Sequence, residues 1–125
     1  MTILKTYARL YSDSLDKALP LLAALTGADP DLRISLGEVE MAAIGDFLVF
    51  AGSPQAIATL QTVTTCAVVS DLDDARAVLA AHGAQIIAGP ADGPTGRYLY
   101  ARHADGVQVE YIQLTPEMSA RLWAE

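Results

Sequence analysis

A chain of 125 residues, about half of them apolar, has the length of one ordinary domain and can bury a core without disulfide or metal staples. Its net charge of −7 comes from scattered Asp and Glu with no basic cluster, which excludes a nucleic-acid partner and favours a neutral or cationic ligand over an anionic one. No apolar run approaches a membrane span, so no membrane partner is expected.

Residues 1–9 lack the basic-then-apolar layout of a secretory signal, and Cys66 has no second cysteine to pair with. A reducing cytoplasm is the expected location, with Cys66 as a small buried hydrophobe rather than a nucleophile.

Lys5 to Tyr11 reads as a strand rich in aromatic residues. Ser12-Asp13-Ser14 offers cap side chains for a helix in which Leu15, Ala18, Leu19, Leu22 and Leu25 recur at helical spacing until Gly27. Pro20 removes a hydrogen bond inside that helix and should bend it. Three extended segments follow, about Leu32 to Leu36, Val39 to Ile44 and Phe47 to Phe50, with turns at Gly37-Glu38 and Gly45-Asp46. Gly52-Ser53-Pro54 interrupts the pattern, and Gln55 to Leu60 reads as a linker with a helical turn.

The order then begins again. Thr62 to Val69 is a β-branched strand, Asp71 caps a helix reaching about His82, and Gly83 stops it. Ala84 to Ala88, Arg97 to Arg102 and Val107 to Gln113 are three more strands, and Pro116 to Glu125 is a short amphipathic helix in which Trp123 covers an open edge or a partner subunit. The chain thus carries two β-α-β-β-β modules, about 1–52 and 61–114, within one domain spanning residues 1–125, closed by a C-terminal helix over about 115–125. Local echoes support duplication: Asp13-Ser14-Leu15-Asp16-Lys17-Ala18 matches Ser70-Asp71-Leu72-Asp73-Asp74-Ala75, and Gly45 to Phe50 matches Gly106 to Tyr111.

These residues carry a resemblance. Ser70-Asp71-Leu72-Asp73-Asp74-Ala75 after a strand, His82-Gly83-Ala84, and His103-Ala104-Asp105-Gly106-Val107-Gln108-Val109-Glu110-Tyr111 are similar to the vicinal-oxygen-chelate superfamily of glyoxalases, bleomycin-resistance proteins and extradiol dioxygenases. The resemblance covers nearly the whole chain. It implies an α+β fold in which two tandem β-α-β-β-β modules form a curved mixed sheet around a cup, with helices on the outer face. It also implies frequent homodimers, and in catalytic members metal ligands on the first and last strands of each module, commonly two His or Gln and two Glu. Only Glu110 occupies such a slot here. The remaining slots hold Thr64, Thr6 or Tyr7, and Val49, which do not replace imidazole and carboxylate. His82 at a helix end and His103 at a turn do not restore the set, so no cofactor and no metal ligand is expected.

Alternation then assigns faces. With Glu110 turned into the cup, Gln108 and Ile112 accompany it, while Val109 and Tyr111 face the helices. The same argument turns Phe47, Val49 and Ala51 inward, and turns Tyr7, Arg9 and Tyr11 inward with Ala8 and Leu10 under the helices. Arg9 is then the natural partner of Glu110 or of an acidic ligand. The candidate ligand-binding residues are Tyr7, Tyr11, Phe47, Tyr98 and Tyr100 as walls and Arg9, Gln108 and Glu110 as anchors, an arrangement common in small-molecule pockets. A structural Arg9–Glu110 pair in a filled cup, with Tyr98 and Tyr100 as ordinary sheet residues, is the alternative.

Three functions follow. The first is metal-independent binding of a small molecule, for sequestration or as an accessory to small-molecule metabolism. The second is a metal-dependent lyase, isomerase or dioxygenase using Glu110. The third is a dimeric interaction module with no ligand.

Overall fold

The computed structural model describes residues 1–123, and the side chain of Trp123, for which an edge-covering role is expected, lies outside the described residues together with Ala124 and Glu125. The strands are β1 (Ile3–Ser12), β2 (Leu32–Leu36), β3 (Val39–Ile44), β4 (Phe47–Ala51), β5 (Thr65–Val69), β6 (Gln85–Asp92), β7 (Gly96–Arg102) and β8 (Gln108–Leu114). The helices are α1 (Leu15–Thr26), α2 (Pro54–Ile57), α3 (Leu72–Ala81) and α4 (Pro116–Trp123). The chain is α+β, and the β-α-β-β-β order occurs twice, with α2 between the copies and α4 at the end. Two compact units result, one of residues 7–64 and one of residues 65–125 joined by residues 1–6, so the division runs through β1 rather than between the modules.

In the first unit the sheet order is β2-β3-β4-β1, with β2, β3 and β4 antiparallel and β4 parallel to β1. Helix α1 begins after Ser14 as its spacing predicts, yet the Ser14 side chain makes no cap hydrogen bond. Its backbone N–H donates instead to Ser12 Oγ at 3.2 Å. Pro20 is accommodated inside the helix, and Gly27 ends it in the left-handed conformation (φ 69°) that disfavours other residues. Leu15, Leu19 and Leu22 of α1 pack on Ala42, Ile44, Val49 and Ala51.

That packing corrects two sequence expectations. Val49, Ala51 and the half-buried Phe47 belong to the helix-facing core rather than to the opposite face. Ala8 and Leu10 were expected beneath helices, but α1 lies over β3 and β4 and leaves both exposed.

In the second unit the order is β5-β8-β7-β6, with β5 parallel to β8 and the other pairs antiparallel. Asp71 caps α3 as its position predicts, its Oδ1 accepting from Asp74 N at 3.0 Å. Val69, Leu72, Ala75, Leu99 and Ala101 form the core, with Leu79, Ile86 and Tyr111 packed against it. Strand β6 runs four residues beyond the predicted Ala88, passing Gly89 and Pro90 by shifting its register against β7 between Ile86 and Ala91. Glycine is required at that irregularity, because a Cβ on Gly89 would stand 2.6 Å from the Tyr98 carbonyl oxygen. Among the described residues no helix is long and apolar enough to cross a membrane.

Candidate functional site

The two faces of the second unit's sheet differ in chemistry. Register places Cys66 of β5, Glu110 of β8 and Tyr100 of β7 side by side, and Val68, Ile112 and Tyr98 one step along. Partners directly opposite in a sheet share a face, so these six side chains stand on the side away from α3. The intervening residues Leu99, Ala101 and Tyr111 pack with Leu72, Ala75 and Leu79 on the helix side. The orientation expected for Gln108, Glu110 and Ile112 therefore holds, as does that of Val109 and Tyr111.

Glu110 is 9% exposed, on a face otherwise made of apolar and weakly polar groups. Tyr98 and Tyr100 stand edge to face, with ring centroids 5.8 Å apart, and both are half-buried, as is Gln108. The pairing of β7 with β8 that holds these rings requires glycine at position 96. A Cβ there would collide with the Gln113 carbonyl and stand 2.7 Å from Leu114 Cα. Arg97 is directed elsewhere and bonds Asp73 of α3 at 3.0 Å.

The first unit has its own polar stripe. Tyr7 and Arg9 are both 3% exposed, and Tyr11 is half-buried beside them on β1. The Arg9 guanidinium carbon lies 4.4 Å from the Phe50 ring centroid and 5.7 Å from that of Tyr11, a cation–π arrangement in which the Tyr11 and Phe50 rings are themselves stacked. Phe50 is thus the aromatic neighbour of Arg9, a place the sequence reading gave to Phe47. The parallel register of β1 and β4 pairs Tyr11 with Phe50 and Ala8 with Phe47, so the two phenylalanines face opposite ways. The Tyr11 hydroxyl donates to the Leu60 carbonyl at 2.5 Å and also lies against the Val63 carbonyl, tying β1 to the segment after α2.

Cys66 is the neighbour that sequence reasoning missed. Strand β5 begins at Thr65, and the residue opposite Glu110 is Cys66 rather than Thr64. The thiol is buried as expected, but on the face that bears the carboxylate. Alternation puts Thr64, Cys66 and Val68 on one face and does not say which of them stands opposite Glu110; the β5–β8 register does.

The side chains around Glu110 are not the two His or Gln and two Glu that the sequence resemblance implies for a metal site. Glu110, Cys66 and Gln108 share this face without a histidine, and no group of three His, Cys, Asp or Glu able to hold a metal ion occurs among the described residues. His82 is exposed at the end of α3, and His103 lies on the helix side of the sheet, where its Nε2 and the Tyr111 hydroxyl are 2.7 Å apart. What this face offers chemically is a carboxylate able to accept hydrogen bonds or a proton, a primary amide able to donate and accept, and two phenols that also serve as aromatic walls.

Comparison with known proteins gives solved structures both nearer to and more distant from this chain in sequence. An uncharacterized protein of Methanosarcina mazei is 34% identical, with a TM-score of 0.86, over 92% of this chain and 95% of that chain. A methylmalonyl-CoA epimerase of Mycobacterium tuberculosis is 17% identical, with a TM-score of 0.73, over 91% and 89% of the two chains. A variant of the Streptomyces coelicolor methylmalonyl-CoA epimerase, in complex with 2-nitronate-propionyl-CoA, is 12% identical, with a TM-score of 0.71, over 92% and 97%. No family model and no curated protein matches the chain. The epimerase likeness shows a shared fold and nothing finer.

Proposed function

The chain belongs to the same family as the uncharacterized Methanosarcina mazei protein, and on that premise we propose that it is a metal-independent small-molecule-binding protein of the glyoxalase and bleomycin-resistance type. The observation that carries the proposal is Glu110, nine-tenths buried on the sheet face opposite α3 and bordered in register by Cys66 and Tyr100. A buried carboxylate bordered by aromatic walls is the kind of polar anchor that orients a ligand in a small-molecule site. That an epimerase of this fold takes an organic ligand supports the reading. Tyr98, Tyr100 and Gln108 are the proposed companions of Glu110. In the first unit Tyr7, Tyr11 and Arg9, with Phe50 in place of Phe47, form the second proposed set of contacts.

Metal independence is supported by the lack of any His, Cys, Asp or Glu trio able to hold a metal ion among the described residues. A role in sequestering the molecule, or in handing it on within metabolism, needs only this binding. The proposal also includes a cytoplasmic location, supported by the single buried thiol, and pairing of two copies, supported by the exposed Leu21 and Leu25 on α1.

The test is a thermal-shift screen of chelator-treated protein against neutral and cationic planar compounds, run beside Glu110→Gln. At least one compound should raise the melting temperature of the wild type, and the amide variant should lose most of that rise, since losing a charged hydrogen bond costs about 1.5–3 kcal/mol of binding. Equal shifts in both proteins, or none across the screen, would reject the proposal.

A further inference from the structure

The helix side of the second unit holds a cleft that the proposed function does not use. It has a volume of about 400 Å³ and lies between the end of α3 and the β7–β8 turn. That is within the roughly 300–1,000 Å³ of small-molecule sites. Val78 and Leu79 of α3 and Ala104 of the turn form its apolar walls. Its polar groups are His82, His103, Asp105 and Tyr111. Tyr111 neighbours Glu110 on β8 but points through to the opposite face, so the sheet itself separates this cleft from the Glu110 surface.

Charge selects the ligand. Asp105 is the lining carboxylate, and its Oδ1 accepts from Val107 N at 3.2 Å, which steadies it on the turn. A carboxylate accepts several hydrogen bonds, so the Val107 contact leaves capacity for another donor. The His82 ring adds a further polar group, while His103 is joined to Tyr111 at 2.7 Å and forms a fixed boundary. An anionic ligand would meet the like charge of Asp105 in a chain of net charge −7. A metal ion is not the occupant that these groups suit, because no three of them are grouped as ligands.

We propose that this cleft binds a hydrophobic amine, its ammonium group on Asp105 and its apolar body against Val78, Leu79 and Ala104. The probe is n-hexylammonium at pH 8 and low salt, compared with hexanoate and hexanol, and the readout is the amide NMR spectrum. Hexylammonium should shift the Ala84, Ala104 and Asp105 amides saturably, with an affinity about threefold or more above that of either control, as an exposed ion pair allows. Asp105→Asn should abolish the preference. Should that change disturb the turn, Val78→Lys places an opposing charge at an exposed helix position (48% exposed) and should weaken the amine while strengthening hexanoate. The proposal is overturned by the absence of saturable shifts, by hexanoate or hexanol binding as well as the amine, or by affinities that a folded variant leaves unchanged.

Discussion

Tyr111 shows how one residue can carry a measurable pH dependence. Its ring packs against the α3 core while its hydroxyl meets His103 Nε2, and burial pushes the phenol above its ordinary value of about 10. The folded chain therefore holds this proton more tightly than the unfolded chain does. The stabilisation is complete below about pH 10 and is lost as pH rises through the higher folded value. Tyr111→Phe should lower stability by about 0.5–1.5 kcal/mol near neutrality through the lost hydrogen bond. It should also flatten the decline in stability above about pH 10, as measured by urea denaturation at several pH values. A wild-type decline that persists unchanged in Tyr111→Phe would assign the alkaline limb to other groups. Neither the His103–Tyr111 contact nor the nearness of Cys66 to Glu110 was legible in the sequence, because both depend on cross-strand register rather than on local spacing.

Elements were legible where their signals are local. Asp71 before α3 and Gly83 after it bracket that helix within a residue of its observed ends, because caps act within one turn. Faces were legible in β8, where Glu110 among apolar residues marks alternation, and illegible in β4, where Phe47-Leu48-Val49-Phe50-Ala51 is apolar throughout and offers no phase. The end of β6 was hidden by Gly89 and Pro90, which read as a stop but sit at a register shift. Helix α1 carries a surface that its own unit leaves uncovered: Leu21 is 63% and Leu25 is 71% exposed, one turn apart on the same side. If two copies pair through α1, Leu21→Glu with Leu25→Glu should convert a dimeric mass to a single-chain mass in sedimentation equilibrium. A single-chain mass for the wild type itself would remove pairing from the proposal.

At the scale of the molecule, one scaffold motif is used twice with different chemistry. Both units repeat the β-α-β-β-β order and bury an apolar helix face on the sheet. On the other face, the first unit places Arg9 against Phe50 and Tyr11, whereas the second places Glu110 beside Cys66 and Tyr100. The repeat was visible in element order and in the Asp-rich helix starts, because caps and turns are local signals. The divergence of the two faces was visible only as the absence of expected ligand types. A fold shared with epimerases does not transfer their chemistry, since function resides in the side chains that the fold presents.

The most direct test of metal-independent binding is metal content, determined by elemental analysis of protein loaded in turn with zinc, nickel, manganese and iron and then freed of excess ions. The absence of a His, Cys, Asp or Glu trio among the described residues predicts far less than one equivalent retained in every case, and the same residual in Glu110→Gln. About one metal per chain, lost in Glu110→Gln, would contradict the account and make the protein a metalloenzyme candidate.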